Sequence, residues 1–210
     1  TADTSGLLGQ LENADASPYG LGIGFTGGAP DNNTNWFYNA SDTGAQRFRV
    51  QSDGDVVNHD NSYGSFSDAR IKQDITDANS QWDDIKAIKV RNFKKKDDVA
   101  QYGDKAGLQI GVIAQELETV SPKLIKESLP DATDIRHSAE FGTLYEDGDT
   151  IPEGKKVGDV KEVKANVKKV SYSVLYMKAV KALQESITRI ETLETSNTDL
   201  IKRVKALEDA

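Results

Sequence analysis

Ser67 and Lys72 stand five residues apart in the run Gly64-Ser65-Phe66-Ser67-Asp68-Ala69-Arg70-Ile71-Lys72. A serine hydroxyl attacks a carbonyl only once a base has taken its proton. A lysine can be that base when burial disfavours its ammonium form. At roughly 100° per residue the two side chains of an ideal helix would project about 140° apart. For them to meet, the segment must turn, or the partner must come from another chain. Arg70 could neutralise Asp68 or help to stabilise an oxyanion. The same residues also suit a capped turn, with Ser67 or Asp68 as the N-cap of a short helix. Spacing alone leaves both readings open.

The chain changes character at this seam. Residues 1–66 are dense in Gly, Asn, Asp, Ser and Thr, with short apolar islands. Leu21-Gly22-Ile23-Gly24-Phe25, Phe37-Tyr38-Asn39-Ala40 and Arg47-Phe48-Arg49-Val50-Gln51 read as strands, and Asp53-Gly54 before Val56-Val57 is a hairpin signal. Strands this short bury little by themselves. They suit a small β-sandwich or, the reading preferred here, a fibre end in which several chains wrap together. Trp36 and Tyr38 could stack on a glycan, but aromatics in such a fibre are read first as packing.

After the seam, Trp82, Ile85 and Ile88 share a helical face. Residues 90–94 read as a strand, 109–114 as a buried strand, and 115–120 as a short helix stopped before Pro122. Residues 131–168 are polar and ambiguous, with turn signals at Asp147-Gly148-Asp149 and Pro152-Glu153-Gly154; a hairpin arm is one reading. From Ser171 onward the pattern is helical, without proline or glycine. Heptads place Leu183, Ile190, Asn197 and Val204 at one core position, and Ser186, Leu193, Leu200 and Leu207 at the other. Ile187 and Ile201 widen this face, which suits three parallel helices better than two. A polar core residue such as Asn197 costs stability but fixes register.

Composition bounds the rest. The 210 residues are 37% hydrophobic, with a net charge of −8, so the core is thin and assembly is an economical source of burial. Residues 1–67 hold two arginines against eight acids, a net of −6. That balance gives no reason to bind nucleic acid or an anionic membrane, and no apolar run approaches the ~20 residues of a membrane helix. The chain has no cysteine, and His59 and His137 alone make no zinc site. No metal or cofactor is expected. Thr1 opens no signal-peptide pattern, and the chain reads as a piece of something longer.

Ser67-Asp68-Ala69-Arg70-Ile71-Lys72 resembles the Ser-Asp-x-Arg-(Leu/Ile)-Lys signature of a known family. This is the family of self-cleaving intramolecular chaperone domains at the C-termini of phage tailspikes, tail fibres and endosialidases. Gly111-Val112-Ile113-Ala114-Gln115-Glu116 resembles its Gly-x-Ile-Ala-Gln-Glu segment, and Val170-Ser171-Tyr172-Ser173-Val174-Leu175 its Val-x-Tyr-x-x-Leu approach to the last helix. The resemblance covers residues 67–210. It implies an α+β chain: a β-rich intertwined fibre end over 1–67, then a chaperone domain over 68–210. That domain would be small and mixed α/β, with 171–210 a parallel trimeric coiled coil. It implies a homotrimer that folds the fibre and then cuts itself, with Ser67 as nucleophile, Lys72 as base and Ser67–Asp68 as the bond cut. The fibre part is expected in the virion tail, facing a host receptor or glycan. The chaperone part is expected to be released in the host cytoplasm. A serine attacking its own carbonyl would close a four-membered ring; attack on the preceding carbonyl would cut Phe66–Ser67, and attack from a neighbouring chain would restore the Ser67–Asp68 cut.

Overall fold

Short-range signals in the first part of the chain produce one small sheet. The computed structural model describes residues 20–210 together with Glu12 and Ala14, and the chain divides into two compact units, Thr1–Ile75 and Thr76–Ala210. In the first, β1 (Trp36–Ser41), β2 (Gln46–Gln51) and β3 (Val56–Asn58) form an antiparallel sheet in that order. Asp42 holds the β1–β2 turn. Its Oδ1 accepts from the backbone N–H of Gly44 and Ala45, and its Oδ2 from Arg47 Nε at 2.6 Å. Gly54, at φ 88°, supplies the left-handed residue of the β2–β3 hairpin that Asp53-Gly54 foretells. Residues 21–25, expected as a strand, pair with no strand among the described residues. Alternating glycine gives this run the pattern of a strand but no partner, and Leu21 stands exposed while Phe25 rests on Phe37 with ring centroids 4.7 Å apart.

The second unit is mixed. In order it contains α1 (Trp82–Ala87), β4 (Arg91–Phe93), α2 (Lys96–Tyr102), β5 (Gln109–Gly111), α3 (Ala114–Glu118) and β6 (Ile125–Ser128). There follow α4 (Ala132–His137), β7 (Gly142–Leu144), β8 (Val160–Val163), β9 (Val167–Val170) and α5 (Tyr172–Glu208). The strands pair two by two, β4 with β5, β6 with β9 and β7 with β8, all antiparallel. The expected buried strand at 109–114 is shorter and wetter than its composition suggests. It lasts three residues, and Ile110 is 76% exposed, because a two-stranded ribbon covers only one face. Residues 131–168 prove ordered. Asp131 caps α4 in a reciprocal capping box with Asp134, and β7 meets β8 so closely that a Cβ on Gly142 would lie 2.1 Å from the Glu162 carbonyl oxygen.

The core of this unit is small: Leu117 and Leu124 are almost wholly buried, and Ala106, Ile135 and Ala182 are also buried. Polar ties hold the start of α5 to it. Asp84 Oδ2 accepts from Lys178 Nζ at 2.7 Å and from Ser121 Oγ at 2.8 Å. Ser80 Oγ donates to Glu185 Oε2 at 3.0 Å, and the Arg189 guanidinium lies 4.0 Å over the Trp82 ring. Every residue from 187 to 210 is exposed. The 37-residue helix is thus anchored at its start and free at its end.

The Lys178 ammonium, then the Ser121 hydroxyl, hold the Asp84 carboxyl below its ordinary range. A depressed folded-state value means that the stabilisation is present above the usual carboxylate range and is lost as the pH falls through the folded value. Asp84→Ala should therefore cost about 1 kcal/mol, a value discounted for partial exposure. In thermal melts the wild-type advantage should shrink as the pH drops below about 4, near the ordinary aspartate value.

Candidate functional site

The seam lies within the first compact unit, and every residue from 59 to 80 is exposed. Its local fold follows from Asp68. With φ −64° and ψ 135°, Asp68 is extended and caps a 3-10 turn over Ala69–Ile71, its carboxylate accepting from the Arg70 backbone N–H at 2.9 Å. The turn closes through Ile71 N–H to the Asp68 carbonyl and Lys72 N–H to the Ala69 carbonyl, both at 3.1 Å. Lys72 then returns to extended backbone.

That turn resolves the geometric objection raised by an ideal helix. A tight turn followed by an extended residue brings the fifth side chain back over the first. Lys72 Nζ donates to Ser67 Oγ at 2.6 Å, within the range of a strong hydrogen bond. The capped turn is therefore present with Asp68 as its cap, and the same turn leaves Ser67 and Lys72 in contact.

Arg70 takes the first of the two roles open to it. Its Nε and Nη2 reach the two Asp68 carboxylate oxygens at 3.0 and 2.7 Å. The guanidinium, with the backbone N–H adding to it, lowers the Asp68 carboxyl from its ordinary range, and Asp68 in turn raises the guanidinium. Phe66, on the other side of Ser67, is 95% exposed. The peptide bonds flanking Ser67 are open to approach from outside.

The remaining expected residues fall elsewhere. Leu183, Ile190, Leu193, Asn197, Leu200, Val204 and Leu207 all lie on α5 and are exposed. Trp36 carries the Arg49 guanidinium 6.0 Å from its ring centroid, and Tyr38 meets Phe48 edge-on at 5.9 Å; both remain about half exposed. His59 pairs with Asp60 at 2.6 Å. The described residues contain no group of three or more His, Cys, Asp or Glu placed to hold a metal, and no described helix is long and apolar enough to cross a membrane. Sequence reading missed the Asp84, Ser121 and Lys178 junction. Its members are up to 94 residues apart, and no local spacing announces them.

Ser67 is also where the match to a known family begins. Residues 67–126 match the family described as chaperone of endosialidase. The match supports a C-terminal intramolecular chaperone domain, and the name of the family model classes it with peptidases. It takes in the Ser67–Lys72 run and the Gly111–Glu116 segment, and stops before the terminal helix. A solved structure described as a novel intramolecular chaperon is similar at 20% identity and a TM-score of 0.40, covering 59% of this chain and 99% of that one. That likeness is too remote to carry weight. No curated protein matches the chain.

Proposed function

We propose that this chain is a trimerisation chaperone joined to the end of a phage tail fibre or tailspike, and that it releases itself by one autoproteolytic cut at Ser67–Asp68. The contact of Lys72 Nζ with Ser67 Oγ, at the first residues of the family match, carries this reading. Lys72 takes the Ser67 proton as the oxygen attacks a peptide carbonyl. It passes that proton to the leaving Asp68 amine as the C–N bond breaks, and water then hydrolyses the resulting ester. The fibre part goes to the virion tail, where it faces a host receptor or glycan, while the chaperone part is left in the host cytoplasm.

Two features favour self-assembly. The exposed end of α5 carries Ile187, Ile190, Leu193, Leu200, Ile201, Val204 and Leu207 on one side. A lone helix gains little stability in water without a packed apolar face, and three copies in parallel give these residues a common core with Asn197 fixing the register. The unpaired, strand-patterned residues 21–25 likewise suit pairing with a neighbouring copy. Helix association raises the local concentration of the fibre strands, which otherwise assemble slowly through distant contacts. The seam is exposed in one chain, so the burial that frees a lysine to act as base has to come from the assembled chains.

Intact-mass spectrometry tests the chemistry. The wild-type chain should give two fragments joining at residues 67 and 68, whereas Ser67→Ala and Lys72→Ala stay at 22.9 kDa. If all three stay whole, autoproteolysis is excluded and a permanent fibre-tip module is left. A fragment boundary between 66 and 67 would reassign the cut to attack on the preceding carbonyl.

Sedimentation tests the assembly. Ser67→Ala should run as a trimer, and adding Leu193→Glu with Leu200→Glu should convert it to monomer. Burying two carboxylates in a shared core costs several kcal/mol each.

A further inference from the structure

Lys72 has two oxygen acceptors of very different consequence close by in sequence: the Ser67 hydroxyl and the Asp68 carboxylate. The hydroxyl is the group it must deprotonate. The carboxylate is the group that would hold its ammonium form, since an adjacent negative charge favours the protonated amine. In the structure the lysine is on the hydroxyl, and both carboxylate oxygens are occupied by Arg70. Among the described residues, Ser67, Asp68, Arg70 and Lys72 have no side-chain hydrogen bond or ion pair outside this group. The next charged residue along the chain is Asp74, and among the described residues the whole seam is exposed.

We propose that Arg70 is a positioning residue that keeps Asp68 away from Lys72, so that the lysine stays on Ser67 and can shed its proton. This rests on the autoproteolytic reading and adds to it. The arginine touches neither the nucleophile nor the base, and acts only by occupying a competing anion. Its planar fork suits the task, because two parallel N–H groups engage both carboxylate oxygens at once. The Arg70 backbone N–H adds a third bond to the same carboxylate. Removing the side chain leaves the cap intact and sets the charge free.

The arrangement makes a prediction that a merely structural clip would not. Losing Arg70 should impair Lys72, and removing the Asp68 charge as well should repair it. Asparagine caps a helix about as well as aspartate, so Asp68→Asn removes the charge while sparing the turn.

Two readouts separate this idea from the reading beneath it. The first needs no cleavage: in a Ser67→Ala chain, Lys72 is acylated with limiting acetic anhydride at pH 8, and its labelling is read by peptide mass spectrometry relative to the other lysines. Arg70→Ala should lower Lys72 labelling about three- to fourfold, the effect of unit charges about 5 Å apart in water. Arg70→Ala with Asp68→Asn should restore it. Equal labelling in all three chains would overturn the proposal, whether or not the protein cuts itself. The second readout is the pH profile of cleavage with Ser67 present. Arg70→Ala should move the rising limb up by about half a pH unit, and the double variant should regain the profile of Asp68→Asn alone. A uniform loss of rate at every pH, unrepaired by Asp68→Asn, would make the pair a structural clip and sink the idea. If the wild-type chain is never cut, the autoproteolytic reading falls, while the labelling arm still decides the role of Arg70.

Discussion

The apolar side of α5 is left in water, and most of the molecule can be understood from that constraint. The helix is tied to its domain along its first half and exposed beyond it. Near its start, Lys178, Glu185 and Arg189 tie it to Asp84, Ser80 and Trp82, and Ala182 is buried. Beyond the Arg189 contact with Trp82, every residue from 190 on is exposed. About 20 residues of helix extend for some 30 Å, too far for the few buried side chains of this domain to shelter. The thin core is the other half of the same fact. Leu117 and Leu124 anchor a domain of two-stranded ribbons and short helices, and such a domain gains from any surface that neighbouring copies cover.

The seam separates proximity from activation. Proximity is local: one 3-10 turn, capped by Asp68, sets Lys72 on Ser67 with no help from distant parts of the chain. Activation is not local, because water surrounds every residue from 59 to 80, and a base of this kind needs a drier setting. On the proposed reading, a site with its groups in contact but unshielded suits a reaction that waits for assembly. The local parts can form at once, while the burial that completes them depends on something slower.

What the sequence made legible was short-range. Asp53-Gly54 specified a hairpin, the Trp82, Ile85 and Ile88 spacing specified α1, and the unbroken run after Ser171 specified α5, because each signal lies within the element it describes. The failures share the opposite property. Pairing of β6 with β9 joins Ile125 to Val170, and Asp84 recruits Ser121 and Lys178; no periodicity encodes either. The capping box at Asp131 was legible in principle, although its N3 residue is an aspartate rather than the usual glutamate or glutamine. At the seam, ideal-helix geometry called for either a turn or a second chain, and a turn brings the two side chains together within one chain. Spacing could not choose between two roles for Arg70, because that depends on which oxygen the guanidinium reaches first.

Ring size links the cut to assembly more tightly than burial alone. Ser67 cannot reach its own carbonyl carbon without closing a four-membered ring, yet its base is a residue of the same chain, 2.6 Å away. A cut at Ser67–Asp68 on the proposed reading therefore divides the work: nucleophile and base come from one copy, and the scissile bond from another. An isolated chain then lacks a substrate as well as a dry site, and premature cutting is forbidden by connectivity rather than by slow kinetics. The same division makes the product hard to reverse. On that reading, a copy unfolded after losing the helix that gathered three chains would have no equivalent route back, and persistence would become a matter of the unfolding barrier.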